Sequence, residues 1–135
     1  MKRYSVLFCL LLELCVNPCL AQSEKTAPGE TVVQSFILLR AGASVKISWQ
    51  TSAEKNNNYF EIMRSADGEH FTTMALVFAR EQAEHGADYL YTDNTITQSG
   101  ADILYYRIRQ VSMDGTFTVT ETRKFRVGDQ RTSPR

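Results

Sequence analysis

The chain has 135 residues, a length that suits one domain of ordinary size with a single hydrophobic core. Its 15 basic and 15 acidic side chains balance, so the formal net charge is zero at pH 7. No overall positive field favours nucleic acid or an anionic membrane as a partner, and any partner must be recognised by local features.

The N-terminal segment has the pattern of a secretory signal peptide. Lys2 and Arg3 precede an apolar run at residues 6–12, and small residues follow near Ala21. The run is too short to span a bilayer, which needs about 20 apolar residues. We therefore expect cleavage after Ala21 and secretion to the exterior or the cell surface, with the periplasm as the alternative. No stable membrane insertion is expected once the signal is removed.

Composition then divides the rest of the chain into three parts. Residues 22–30 are polar, contain a Pro-Gly pair and lack periodicity, which indicates a linker. Residues 31–128 contain the periodic apolar segments and form the predicted domain. Residues 129–135 have no apolar face to bury, so we expect a disordered tail.

Short alternations of apolar and polar residues recur along the domain and predict β-strands. In the clearest one, Val45, Ile47 and Trp49 alternate with polar residues, which gives the strand one apolar face. Asp-Gly pairs at 67–68 and 114–115 are typical of the turns that close hairpins. The predicted strands occupy residues 33–39, 45–50, 59–64, 71–78, 89–92 and 104–111, with a last strand that begins near residue 116 and continues to residue 127 after a bulge.

Seven short strands, with no helix long enough for a parallel crossover, predict an all-β fold: a seven-stranded antiparallel β-sandwich. Alternation places five large side chains in its core: Trp49, Phe60, Ile62, Tyr106 and Ile108. Trp49 could instead be a platform for a sugar ring, but its place in the alternation favours the core.

Three loops of such a sandwich would lie at one end, at residues 51–58, 79–88 and 112–116, with the 67–68 turn at the other. Residues 79–88 are interpreted as a crossing loop, although their composition would support one helical turn. Loops on a rigid sandwich often carry recognition. The polar residues predicted to contact a partner there are Glu54, Lys55, Asn56, Asn57, Arg80, Glu84, His85 and Asp114.

Signals for metal, cofactor or catalysis are weak. His70 and His85 are too far apart in sequence for a typical metal-ligand pair, and no phosphate-cradling glycine loop or nucleophile elbow occurs. We therefore predict no metal, no cofactor and no enzymatic activity. Five arginines could form a basic stripe on one sheet, which would either bind acidic glycans or simply solubilise the sheet: Arg64, Arg107, Arg109, Arg123 and Arg126.

Three ordered motifs are similar to a known family. They are SWQTSAEKNNNYFEIMRSADGEHF at 48–71, YLYTDN at 89–94 and YYRIRQVSMDG at 105–115. The stretch from Val33 to Val127 resembles the fibronectin type III-like modules of secreted bacterial proteins associated with type IX secretion. The resemblance implies an extracellular seven-stranded sandwich of the immunoglobulin-like kind, without catalysis, that serves as a spacer or ligand-binding accessory. It also implies that Tyr106 ties a corner of the sandwich to nearby backbone through its hydroxyl.

Two functions remain open from the sequence. The first is an extracellular interaction or spacer module, whose partner is an unknown protein or glycan at the cell surface. The second is a carbohydrate-binding accessory for polysaccharide, on which Tyr59 and Tyr105 would stack against sugar rings.

All three cysteines lie before residue 20, within the expected signal peptide. The secreted chain should therefore fold without disulfides or cysteine-bound metal, and neither reductant nor chelator should change its melting temperature. Scanning fluorimetry with each reagent checks this prediction. Intact-mass spectrometry checks the cleavage site, since the secreted chain should have the mass of a polypeptide that begins at Gln22. A fall of several degrees with either reagent would contradict the prediction.

Overall fold

The structure, a computed structural model, describes residues 33–52, 54–80 and 83–128. The expected signal peptide, linker and tail lie outside the described residues. Within those ranges no helix is long and apolar enough to cross a membrane. The elements are β1 (Val33–Ala41), β2 (Ser44–Thr51), β3 (Asn57–Ser65), β4 (Thr72–Phe78), β5 (Asp88–Asp93), a short 3-10 helix (Ile96–Gln98), β6 (Ile103–Ser112), β7 (Phe117–Val119) and β8 (Arg123–Arg126).

The strands form two antiparallel sheets, as the alternating pattern predicts. One sheet has the order β1-β2-β5, and the other has the order β4-β3-β6-β7, with β8 also paired to β6. Side chains from both sheets contribute to one hydrophobic cluster, so the sheets pack face to face as a β-sandwich. The all-β class is confirmed, and β7 and β8 are the two halves of the predicted seventh strand.

A bulge separates these two halves. Val119 pairs with Arg109 and Arg123 pairs with Tyr106, so β7 and β8 together hold one more residue than the matching stretch of β6. At the bulge the Thr120 hydroxyl accepts a hydrogen bond from the Ile108 amide at 3.0 Å, in place of a backbone carbonyl. Because side chains alternate with period two, one extra residue exchanges the faces of the strand.

The core is built by the inward faces of the central strands. On β2, Val45 and Ile47 are fully buried and Trp49 is 1% exposed. The Trp49 ring stacks on Tyr89 with centroids 5.2 Å apart and meets the edge of Phe60 at 5.5 Å. Trp49 is therefore a packing residue, with its ring closed to any sugar. The five residues predicted for the core all belong to this cluster: Trp49, Phe60, Ile62, Tyr106 and Ile108.

The connection from β5 to β6 adds a core residue that the sequence pattern does not predict. Most residues of this segment are polar, yet Ile96 in the 3-10 helix is fully buried against the cluster. A single apolar residue among polar neighbours carries no periodicity. Its burial depends on how the preceding residues turn the chain.

That turn is made by the buried carboxylate of Asp93, at the end of β5. Asp93 is 1% exposed and accepts hydrogen bonds from the Thr95 amide and hydroxyl at 2.8 and 2.7 Å. It also accepts from Arg64 Nη1 at 2.8 Å and from the Tyr106 hydroxyl at 2.9 Å. Since Asp93 belongs to one sheet and Arg64 and Tyr106 to the other, this cluster of polar groups joins the two sheets.

Two sequence-based interpretations change here. Tyr106 was expected to bind nearby backbone, but its hydroxyl donates to a carboxylate on the opposite sheet. Arg64 is one of the five arginines that could form a basic stripe, but it pairs with Tyr106 in register and its side chain points between the sheets. A buried carboxylate needs donors, and these two side chains are the ones that the register brings within reach.

The surroundings of Asp93 shift its titration. Burial alone would raise the pKa of this carboxyl, but the hydrogen bonds from Thr95, Tyr106 and Arg64 outweigh burial and hold the pKa below its usual value. The Tyr106 pKa moves the other way. Burial, followed by the bond to Asp93, raises it well above the usual range.

Asp93→Asn should therefore destabilise the protein at neutral pH by about 3 to 5 kcal/mol, because it leaves the partly buried Arg64 without its counter-ion. A folded-state pKa below the unfolded value adds stability above about pH 3.9, and that stability is lost as the pH falls through the folded pKa. Urea unfolding from pH 7 to 2 should show this acid-dependent loss in the wild type and less of it in Asp93→Asn.

Asp88→Asn is the matched control, because Asp88 lies on the same strand but is exposed. It should retain nearly all of the wild-type stability at pH 7. Equal unfolding free energies for the two variants would show that the buried cluster does not hold the sheets together.

Candidate functional site

The three loops predicted to lie together do meet at one end of the sandwich. The Glu54 amide donates to the Ala83 carbonyl at 2.9 Å, and the Met113 amide donates to the Asn56 carbonyl at 2.7 Å. Asn56 adopts a left-handed conformation with φ of 57°, which asparagine tolerates. The turn at residues 67–68, between β3 and β4, lies at the opposite end. We call the first end the loop end.

Glu54 is an anchor within this end rather than a free contact residue. Its carboxylate accepts hydrogen bonds from the Thr51 hydroxyl at 2.6 Å, the Tyr89 hydroxyl at 2.7 Å and the Asn57 side-chain Nδ2 at 3.2 Å. Burial, followed by the bond to Glu54, raises the pKa of Tyr89 to about 12. Asn57 is buried and begins β3. Glu54 thus links its loop to β5 through Tyr89 and to β3 through Asn57, so these two predicted partner contacts have a structural role at the loop end.

The remaining predicted loop residues stay at the surface. Arg80 lies with its guanidinium 5.4 Å from the Tyr89 ring, and Asp114 accepts from the Thr116 hydroxyl and amide at 2.7 and 3.0 Å. The Thr116 bonds lower the Asp114 pKa. Both residues thus have local roles at the loop end. The exposed members of the predicted set are Lys55, Asn56, Arg80, Glu84, His85 and Asp114.

The outer face of the five-stranded sheet carries a feature that was not predicted. Phe78, Tyr59, Val111 and Phe117 are cross-strand neighbours on β4, β3, β6 and β7. Directly opposed residues of antiparallel strands project to the same face. Phe78 is 70% exposed and Phe117 is 50% exposed, whereas Val111 is buried but lies outside the core cluster. We call these four residues the apolar row.

The apolar row borders the loop end, because β3 and β7 begin there and β4 and β6 end there. The ring edge of Tyr59 meets Phe78 with centroids 6.4 Å apart. Leu76, next to the row on β4, is 53% exposed, and Met113 in the adjoining loop is 68% exposed. Exposed apolar groups that are contiguous, rather than scattered, are typical of interaction surfaces.

Arg107 and Arg109, two of the five arginines of the possible basic stripe, lie over aromatic rings on this face. The Arg109 guanidinium lies 4.2 Å from the Phe117 ring centroid and 3.5 Å from a Glu61 carboxylate oxygen. The Arg107 guanidinium lies 3.9 Å from the Phe71 ring. Cation–π contacts of this kind hold long side chains flat against the sheet. The result is an apolar surface with an ion pair inside it.

The ring of Tyr105, a candidate platform for a sugar, is in contact with other residues of the same chain. A Cβ placed on Gly68, whose φ is +83°, would lie 3.3 Å from the Tyr105 ring, so the turn packs closely on that ring. Lys124 lies 5.7 Å from the ring centroid. Tyr59 and Phe78 are the aromatic pair that remains at the surface.

One sequence signal could have revealed the apolar row. The sequence of β4, TTMALVF, has apolar residues on both faces of the strand. Ala75 and Val77 project to one face, and Leu76 and Phe78 project to the other. A strand with one solvated face alternates apolar and polar residues, so apolar residues at both parities predict a second apolar face. The sequence around Phe117 contains no such signal, because the bulge after β7 determines which face of the sheet Phe117 lies on.

No protein-family model matches the chain, and no curated protein matches it. Among solved structures, it is similar to a pectate lyase of Erwinia chrysanthemi, solved in complex with tetragalacturonic acid, with a TM-score of 0.52 and 16% identity over 70% of this chain. It is also similar to a pectate lyase of Pectobacterium carotovorum, with a TM-score of 0.50 and 17% identity over 78% of this chain. The chain spans only 28% and 27% of these two enzymes, and likeness at such identities shows the fold alone.

Glu54→Ala should lower the free energy of unfolding by about 1 to 3 kcal/mol, because it removes the acceptor shared by Thr51, Asn57 and Tyr89. Glu84→Ala is the control, an exposed glutamate of a neighbouring loop, and should change stability by less than about 0.5 kcal/mol. Urea unfolding followed by the fluorescence of the single tryptophan measures both. Equal stability of the two variants would contradict the structural role of Glu54.

Proposed function

We propose that this chain is a secreted, non-catalytic module of the fibronectin type III-like kind that serves as an extracellular interaction domain. The observation that supports an interaction role best is the apolar row, in which Phe78 is 70% and Phe117 is 50% exposed beside the loop end. Apolar side chains in contact with water on one rigid face are stabilised when a partner covers them.

The strand pairing supports the fibronectin type III-like assignment. In immunoglobulin-like sandwiches the first, second and fifth strands share one sheet, and the third, sixth and seventh share the other. Here β1, β2 and β5 are neighbours, and β3 pairs with β6, which pairs with both β7 and β8. The family-like motifs cover the end of β2, all of β3 and most of β5 and β6. Secretion is supported by the signal-peptide pattern of residues 1–21.

The turn at residues 65–70 supports a non-catalytic module, although it contains serine, aspartate and histidine. Asp67 accepts from the Ser65 hydroxyl at 2.7 Å and contacts His70 Nδ1 at 2.7 Å. In a nucleophile–base pair the histidine would contact the serine directly, whereas here the carboxylate lies between them. Asp67 also accepts from the amides of Glu69 and His70 at 2.8 Å each. This arrangement is a turn stabilised by its own side chains.

A carbohydrate-binding accessory is the second candidate, and the exposed Phe78 ring beside Tyr59 favours it. Aromatic rings on a flat sheet face stack well on sugar rings. Affinity electrophoresis in gels that contain polysaccharide separates the two candidates. Retardation that is lost in Phe78→Ala would support the accessory, whereas unretarded migration in every polysaccharide would favour a protein partner.

The proposed module is tested by a photo-crosslinking amino acid placed at Phe117 in cells that export the chain. Phe117 lies on the apolar row but away from β4, and Leu90, 59% exposed on the outer face of the other sheet, is the matched control. We expect adducts with another protein from position 117 and few from position 90. Equal adduct yields at the two positions would contradict an interaction role for the apolar row.

A further inference from the structure

β4 is an edge strand whose outer side is open. In the described residues it pairs with β3 alone. The Ala79 amide donates to the Asn58 carbonyl at 3.0 Å, and Phe78 is opposite Tyr59. Hydrogen-bonded and non-hydrogen-bonded pairs alternate along an antiparallel ladder. The backbone groups of Ala79 therefore point toward β3, and those of Phe78 and Leu76 point away from it.

We propose that two copies of this chain pair antiparallel through β4, about a two-fold axis at Val77, so that the five-stranded sheets become one continuous sheet. The inference deepens the proposed function and rests on it, because it names a partner for one end of the same outer face. An open row of amides and carbonyls is the template for strand addition.

β4 lacks the charged residues and prolines that prevent edge strands from pairing with other chains. By contrast, β5 begins and ends with an aspartate, and β8 holds three basic residues. On β1, the Arg40 guanidinium donates to the Val127 carbonyl at 2.8 Å and also to the Arg126 carbonyl, so its long side chain reaches across to the β8 region. β4 is the long edge strand that contains no charged residue, whereas β1 contains Arg40.

The geometry of β4 is self-complementary. With Val77 opposite its own copy, Leu76 is opposite Phe78 of the second copy, and each such pair can exchange two backbone hydrogen bonds. Leu76 and Phe78, whose backbone groups point away from β3, are thus the residues that the two-fold register places opposite each other. A register shift next to Met63 places an extra residue, Met74, on β4, which confines regular pairing to the half of the strand that follows it.

The side chains favour a second copy over an unrelated strand. Leu76 is 53% and Phe78 is 70% exposed, and the two-fold register sets each against the other across the axis. Apolar cross-strand pairs stabilise a sheet, and a neutral strand sets no like charges against each other. A second copy therefore supplies the extended backbone together with an apolar side chain opposite each exposed one.

Sedimentation equilibrium of the exported chain over a wide concentration range tests the dimer. We expect a concentration-dependent dimer for the wild type and a dissociation constant raised roughly tenfold or more by Phe78→Lys. Leu76→Pro should also dissociate it, because it removes an outward amide while the ladder to β3 keeps its bonds. Leu90→Lys, an equally drastic change on the other sheet, should leave the dimer intact. A monomeric wild type, or equal dissociation by Leu90→Lys, would overturn the proposal.

Cysteine substitution tests the register. Val77→Cys would face its copy in a non-hydrogen-bonded pair, where the short Cα separation suits a disulfide. Mild oxidation should link Val77→Cys into dimers faster than Leu90→Cys, although Leu90 is the more exposed position. Faster linkage of Leu90→Cys would overturn the β4 register. A monomeric wild type that still forms Phe117 adducts would refute the dimer and leave the proposed module standing.

Discussion

An ionised carboxylate is costly to bury unless hydrogen-bond donors surround it, and Asp93 meets this condition with donors from both sheets. Hydrophobic contact between two sheets is not directional, so by itself it tolerates small shifts of one sheet over the other. The bonds from Arg64 and Tyr106 remove that freedom, because a shift would leave a buried charge without partners. The same carboxylate turns the chain through Thr95, and this turn delivers Ile96 to the core.

With the sheets held in place, the two ends and two faces of the sandwich acquire different characters. At the loop end, Glu54 ties its loop to β3 and β5, so a loop of mainly polar residues becomes an ordered rim. Beside this rim, the outer face of the five-stranded sheet carries exposed apolar side chains where a solvated sheet would carry polar ones. Apolar side chains on an ordered sheet suit a partner that is also preformed. The β4 edge continues that surface toward a second copy.

Much of this architecture follows from local sequence alone. Alternation with period two identifies β2 and places Val45, Ile47 and Trp49 inside, because the pleat forces successive side chains to opposite faces. The Asp-Gly pairs mark turns since glycine readily adopts positive φ, as it does at residues 68 and 115. Even the gathering of three loops at one end follows from counting strands. Local patterns determine such features because they depend on nearest neighbours along the chain.

Features that depend on pairs of residues distant in sequence were decided only by the tertiary structure. Nothing local distinguishes Glu54 from Glu84, yet one lies within reach of the Tyr89 hydroxyl and the other is exposed. The position of Arg64 depends equally on the neighbouring sheet, which places Asp93 opposite it. The sequence by itself therefore determined the class, the strands and the aromatic core. The register and its bulge decided the polar cluster, the apolar row and the open edge, because one residue of shift exchanges the faces of a strand.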